Sequence, residues 1–335
     1  MIFSRVARAV LVATCCLPSA VCRLQSQTRV VIVSGLGGEP AFSAAFNAQA
    51  EALASALHDR FGVDDANISW FGEDSVSRAK YFRGQSTKVN VEKAILAVAA
   101  RAEPASQFVL VLIGHGAGEG PETRVSIPGP DLDASDFARL LAAFPTQRVA
   151  FINLTSASGD MIPTVAGANR VIITAAKTAF ERNESHFGQY FVDAFTQDGA
   201  DTDKDGRVSL LEAFRYAALE TKRFYDKGSL MQTEHAQLAD EGTKEGSGSP
   251  TGRAGDGALA RRFFMDGGKA TSVAAAGDPR LAKLYADEFT LQEQIDQLRS
   301  KKAQMAADAY DAALEPLLVS LARKAREIRA MEGRQ

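Results

Sequence analysis

Phe108-Val-Leu-Val-Leu-Ile113-Gly114-His115-Gly116 sets six consecutive apolar residues directly before a histidine held between two glycines. A short run that is apolar at every position reads as a strand buried on both faces, the signature of a parallel sheet. The pattern recurs on either side of it. Arg29-Val-Val-Ile-Val-Ser34 ends in Gly35-Leu-Gly-Gly38, and Arg148-Val-Ala-Phe-Ile-Asn153 ends in Leu154-Thr-Ser156-Ala-Ser-Gly159. Arg170-Val-Ile-Ile-Thr-Ala175 and the shorter Ile68-Ser-Trp-Phe71 add two more strands. Between them, residues 42–61, 89–102 and 132–143 carry apolar side chains at helical spacing. Strands alternating with helices predict an α/β fold: a mostly parallel sheet with helices on both faces and ligands outside the carboxyl ends of the strands.

With 46% apolar residues among 335, the chain has ample material for a core. Its formal net charge is −3 and it has no compact Lys/Arg block, so nothing recommends nucleic acid or an anionic membrane as a partner. The N-terminus reads as an export signal over residues 1–22. Arg5 and Arg8 precede an apolar stretch too short to span a bilayer, and small residues follow around Ser19, Ala20 and Cys22. The expected location is therefore periplasmic or secreted, with no membrane span. The three cysteines, Cys15, Cys16 and Cys22, all fall in that signal. Cleavage after Cys22 leaves a chain without disulfide, thiolate metal site or cysteine nucleophile. Gly35-Leu-Gly-Gly38 lacks the third glycine and the acidic residue of a dinucleotide fingerprint, and a tight strand-to-helix turn accounts for it.

Asp201-Thr-Asp203-Lys-Asp205-Gly206-Arg207-Val-Ser209-Leu-Leu-Glu212 matches an EF-hand calcium loop at every constrained position. Calcium takes six to eight hard oxygens, so carboxylates recur at alternate positions. Asp201, Asp203 and Asp205 supply three, Arg207 offers its carbonyl, Ser209 reaches the ion directly or through water, and Glu212 closes the shell. Gly206 permits the sharp turn, and Val208 pins the loop to the core. Helical spacing before the loop (187–195) and after it (210–224) places the motif within about 187–225. One loop without a pair favours a structural Ca2+ over a switch.

His115 and the Ser156 turn sit where two parallel strands end, so they can approach each other, with amides near Gly116 available to polarise a carbonyl oxygen. The order of strand–His-Gly, helix, then strand–turn ending Ser-Gly resembles the legumain-type cysteine peptidases and their caspase-like relatives. The resemblance runs over about residues 29–176 and takes in Val-Ile-Val-Ser-Gly, Gly-His-Gly, Ser156-Ala-Ser-Gly159 and Ile-Thr-Ala-Ala. It implies a three-layer caspase-like domain over 28–239, His115 as the catalytic histidine and Ser156 in the place of the nucleophilic cysteine. A serine needs a stronger general-base arrangement than a thiolate, usually with a carboxylate orienting the histidine. Only Glu119 and Glu122 are close in sequence to His115. The missing thiol points to a pseudo-peptidase that binds protein or peptide. A serine hydrolase on the His115–Ser156 dyad, and a calcium-stabilised structural protein of the envelope, are the alternatives.

The other histidines, His58, His186 and His235, have no metal-ligand spacing. Glu181-Arg-Asn-Glu184 reads as a solvated loop, or as a wall of the cleft by the resemblance. Residues 240–277 read as a flexible linker or loop from their Gly, Ser, Glu and Lys content. Residues 278–335 are helical: Leu284, Leu291, Leu298 and Met305 recur every seven residues, and Leu314, Leu317, Leu318, Leu321 and Ile328 follow. That spacing fits either a coiled coil with a second chain or a hairpin folded on itself, with a kink or restart at Pro316.

Overall fold

The computed structural model describes residues 28–104, 106–202, 206–252, 257–267 and 305–332, with scattered positions between 280 and 302. The export-signal reading of residues 1–22 lies outside the described residues, as do the calcium candidates Asp203 and Asp205.

The apolar runs form β1 (Thr28–Ser34), β2 (Ile68–Gly72), β4 (Gln107–Ile113), β8 (Arg148–Asn153) and β9 (Arg170–Thr174). Two further strands, β3 (Phe82–Gln85) and β10 (Gln237–Asp240), complete a seven-stranded sheet in the order β10-β9-β8-β4-β1-β2-β3. Every pairing is parallel except that of β10 with β9. A second sheet is built from three two-residue strands: β5 (Gly116–Ala117), β6 (Arg124–Val125) and β7 (Leu132–Asp133).

Alternate residues of each central strand enter opposite cores, which is why the runs are apolar throughout. Val30 and Ile32 of β1, and Val109, Val111 and Ile113 of β4, pack with α1 (Pro40–Asp59), α5 (Phe187–Thr196) and α6 (Leu210–Gly228). Val31, Val33, Phe108, Leu110 and Leu112 enter the other core with α2 (Lys88–Ala99), α3 (Ala134–Leu141) and the single-turn α4 (Ile162–Val165). The fold is thus the expected three-layer α/β arrangement. The strand order reverses between β1 and β4, and the carboxyl ends beside such a reversal are the usual ligand position of these sheets.

Three local expectations change. The helix expected from residue 132 starts at Ala134, because Leu132 and Asp133 pair with β6 and Asp133 then caps the helix. Its carboxylate accepts from Asp136 N at 2.8 Å, while Asp136 accepts from Asp133 N. Asp133→Ala should therefore lower stability by about 1 kcal/mol, read from the urea midpoint; an unchanged midpoint would mean water replaces the cap.

The stretch read as linker contains packed chain. Leu259, Ala260, Phe263 and Met265 belong to the α1/α5/α6 core, and Asp240 caps the returning segment by accepting from the amides of Gly257, Leu259 and Ala260. Finally, α7 (Ala307–Glu332) runs through Pro316 without restarting. Lys324 pairs with Asp287 at 3.3 Å, so the described helical positions near 287 lie beside α7 within one chain. Ile295, Tyr310 and Ile328 are buried. No helix among the described residues is long and apolar enough to cross a membrane.

Candidate functional site

His115 follows β4 at the reversal point, as expected. The neighbouring turn after β1 is drawn tight: Gly35 N donates to Ile113 O at 2.8 Å, and Leu36 N donates to Ser126 O at 2.9 Å. A Cβ on Gly35 would stand 2.3 Å from Ser126 O, so only glycine fits there. The imidazole of His115 packs against the stacked rings of Phe42 and Phe46 on α1, edge-on to both at 5.0 and 5.1 Å between centroids. Among the described residues its ring nitrogens have no hydrogen-bond partner. Neither nearby acid orients it. Glu119 faces Arg182 at 3.4 Å in an exposed pair, and Glu122 has no hydrogen bond to the ring among the described residues.

Ser156 comes to the same end of the sheet from β8, with no hydrogen bond to His115 among the described residues. Its hydroxyl accepts from Gly116 N at 3.2 Å and donates to Gly116 O at 3.4 Å, and the residue is 4% exposed. Gly116 lies so close under the turn that a Cβ there would stand 2.3 Å from Ser156 O. The turn itself is fixed from below and from the side. Thr155 donates through N and Oγ1 to Asn153 Oδ1. Ala157 has a left-handed backbone (φ 54°), which is costly for a residue with a Cβ, and its N–H bonds Glu181 O at 2.8 Å. Ser158 Oγ accepts from Ala176 N.

Glu181, read from the sequence as part of a solvated loop, is a junction. Its carboxylate accepts from Lys177 N, from His235 N at 2.9 Å and from His235 Nδ1 at 2.6 Å. Phe180 beside it is 74% exposed. Nearby, Glu234 is 4% exposed and receives Ser185 Oγ, His186 N, Phe187 N and Tyr225 OH. The sequence marks Glu181 only as part of a loop or cleft wall and gives Glu234 no role. Most of their partners lie far off in sequence, as His235 does from Glu181 and Ser185, His186 and Phe187 do from Glu234, and no local spacing signals such bonds.

The candidate calcium loop lies at the other end of the sheet. It connects α5 to α6, whose apolar faces meet through Phe187, Phe191, Phe195 and Phe214. Arg60, just past the far end of α1, reaches Phe195 O and Asp198. The described loop residues suit an oxygen-lined ring. Gly206 turns with φ 81°, and its N–H bonds Asp201 Oδ2 at 3.0 Å. Glu212 is 8% exposed and folds back across the loop. Oε1 accepts from Thr202 N and Oγ1, next to Asp201, while Oε2 accepts from Ser209 N and Oγ in a capping box. Val208 is buried. Among the described residues no three acidic, histidine or cysteine side chains cluster as a metal site; the middle pair of the motif, Asp203 and Asp205, is outside them.

These features define a mostly parallel α/β protein with His115 and a buried Ser156 turn at one end of its sheet and a helix–loop–helix at the other. Solved structures to which it is similar include drICE, at 10% identity over 65% of this chain and 89% of that one, with a TM-score of 0.40. A Geobacter sulfurreducens protein is similar at 13% identity over 58% and 89%, TM-score 0.39. A secreted C11 cysteine protease of Bacteroides thetaiotaomicron, bound to an irreversible peptide inhibitor, is similar at 12% identity over 64% and 66%, TM-score 0.39. No family model and no curated protein matches the chain.

Proposed function

We propose that this chain is an exported, calcium-stabilised protein whose caspase-like crevice binds a protein or peptide without cleaving it. One observation carries the reading: the Ser156 hydroxyl is engaged by both backbone groups of Gly116, while His115 packs edge-on against two phenylalanines and has no acidic partner among the described residues. Acyl transfer needs a base at the attacking oxygen and free N–H donors where the oxyanion forms. Here the Gly116 amide is spent on Ser156 itself. The 4% exposure of Ser156 closes the hydroxyl off further. Calcium belongs to the reading through the residue pattern of 201–212 and the closed geometry of its described ends. The loop's distance from the crevice, at opposite ends of the strands, favours a structural ion. The basic–apolar–small order of residues 1–22 supports export.

The test is activity-based labelling of the full chain in calcium with a fluorophosphonate and a peptide chloromethyl ketone, beside Ser156→Ala and His115→Ala. No labelling is expected from the unaltered chain. Labelling that both substitutions remove would make the protein a serine hydrolase and overturn the reading.

A further inference from the structure

A single calcium loop has no second loop to brace it, and the structure assigns that task to residues 263–266: we propose that Phe264 and Asp266 clamp the Arg207 side chain and so hold its carbonyl in position for the ion. This rests on the calcium reading above. Arg207 stands at the loop position that offers a backbone carbonyl rather than a side chain, which leaves its guanidinium available for another role.

The guanidinium is held on two sides. Nε and Nη2 both donate to Asp266 Oδ2, at 2.8 and 2.6 Å, and Cζ lies 3.5 Å from the centroid of the Phe264 ring. The side chains of Arg207 and Asp266 are 19% and 8% exposed, so the pair works out of bulk water, where both ionic and cation–π contacts strengthen. The main chain is gripped as well. Leu210 N donates to Phe263 O at 2.9 Å, and Ser209 forms an antiparallel bridge with Phe264. Arg207, Ser209 and the first residue of α6 thus lie against one short segment, residues 263–266.

That segment is anchored independently of the loop. Phe263 is fully buried, Arg148 donates to Arg262 O, and Gln107 donates to Phe264 O. Gly267 N donates to Phe61 O, and a Cβ there would stand 2.0 Å from Gly62 O. A wall fixed to the sheet and to the end of α1 sets the exit of the loop before any ion arrives, which lowers the ordering cost of binding. Phe264 and Asp266 are therefore positioning residues, acting through Arg207.

The test is calcium titration of the full chain by calorimetry, with Asp266→Asn and Phe264→Leu. Each should weaken the Kd by about tenfold, the lower range for outer-shell partners of metal ligands, with stoichiometry unchanged. Melting in EDTA, run alongside, separates this from general loosening. Phe264→Leu keeps apolar volume and leaves the ion pair whole, so it tests the clamp even where Asp266→Asn folds poorly. An unchanged Kd in both variants, with or without a lower melting temperature in EDTA, overturns the clamp alone. An unaltered chain that takes up no calcium overturns the calcium reading and the clamp together.

Discussion

Calcium should raise the melting temperature of the unaltered chain by roughly 5–10 °C, and Asp201→Ala or Glu212→Gln should each abolish that rise. An ion that binds only the folded chain stabilises it by RT ln(1 + [L]/Kd), about 2.7 kcal/mol at a hundredfold excess over Kd. For a domain of this size each kcal/mol moves the midpoint by roughly 2–4 °C. A single exported module points to a Kd of about 10⁻⁴–10⁻³ M, so the experiment belongs at tens of millimolar calcium against EDTA. The two substitutions differ in what else they disturb. Asp201 accepts from Gly206 N at the turn, so alanine loosens the loop itself. Glu212 also closes the capping box with Ser209, and glutamine retains an acceptor for that role while removing the charge and one of two ligand oxygens. Glu212→Gln should melt somewhat below the unaltered chain in EDTA, because its amide then faces the donors of either Thr202 or Ser209, and the calcium shift should be gone only from the variant. An equal shift in all three proteins would place the ion elsewhere.

The strands of this fold are legible because burial on both faces makes them apolar at every residue, as in Val30–Val33 and Phe108–Ile113. What escapes is whatever burial does not write into the chain. β3 carries Arg83 and Gly84 at the sheet edge, and β10 is four residues long and ends in Asp240, whose carboxylate serves three distant amides. The Gly, Ser, Glu and Lys content of residues 240–277 reads as linker. Yet Leu259, Phe263 and Met265, set within that stretch, carry enough apolar surface to dock 257–267. At the crevice, strand ends locate His115 and Ser156 from the sequence alone. Which of two neighbours a buried hydroxyl chooses is a matter of ångströms: Gly116, lacking a side chain, lets the turn descend until Ser156 meets its backbone rather than the imidazole. The motif of 201–212 is legible because coordination fixes residue type at each position, whereas its brace at 264–266 follows no such rule.

Glu234→Ala is expected to cost about 3 kcal/mol or more, the largest loss for any one side chain outside the apolar cores. The carboxylate is 4% exposed and serves four donors at once. Two are the amides of His186 and Phe187, at 2.8 and 3.1 Å, which open α5 and have no partner within the helix. A negative charge at that end also suits the helix dipole. Ser185 Oγ and Tyr225 OH complete the set, at 2.7 and 3.3 Å. Burial, followed by the neighbouring Glu234 charge, pushes the Tyr225 phenol up, against a lowering contribution from Thr233, so it remains a donor. Truncation strands these groups where water reaches poorly, and each unsatisfied one costs about 1–3 kcal/mol less whatever solvent recovers. Glutamine should restore part of the loss, because its carbonyl still accepts while its amide faces a donor. The damage should be local as well as global. Glu234 ties the start of α5 to the chain leading into β10, and its neighbour His235 is bound by Glu181, whose carbonyl holds Ala157 in the Ser156 turn. Hydrogen exchange at the amides of His186 and Phe187 should therefore quicken well beyond what the fall in the urea midpoint accounts for. A loss under about 1 kcal/mol, with exchange at those two amides unchanged, would show that solvent replaces the carboxylate and that the crevice wall and α5 are held by their apolar contacts instead.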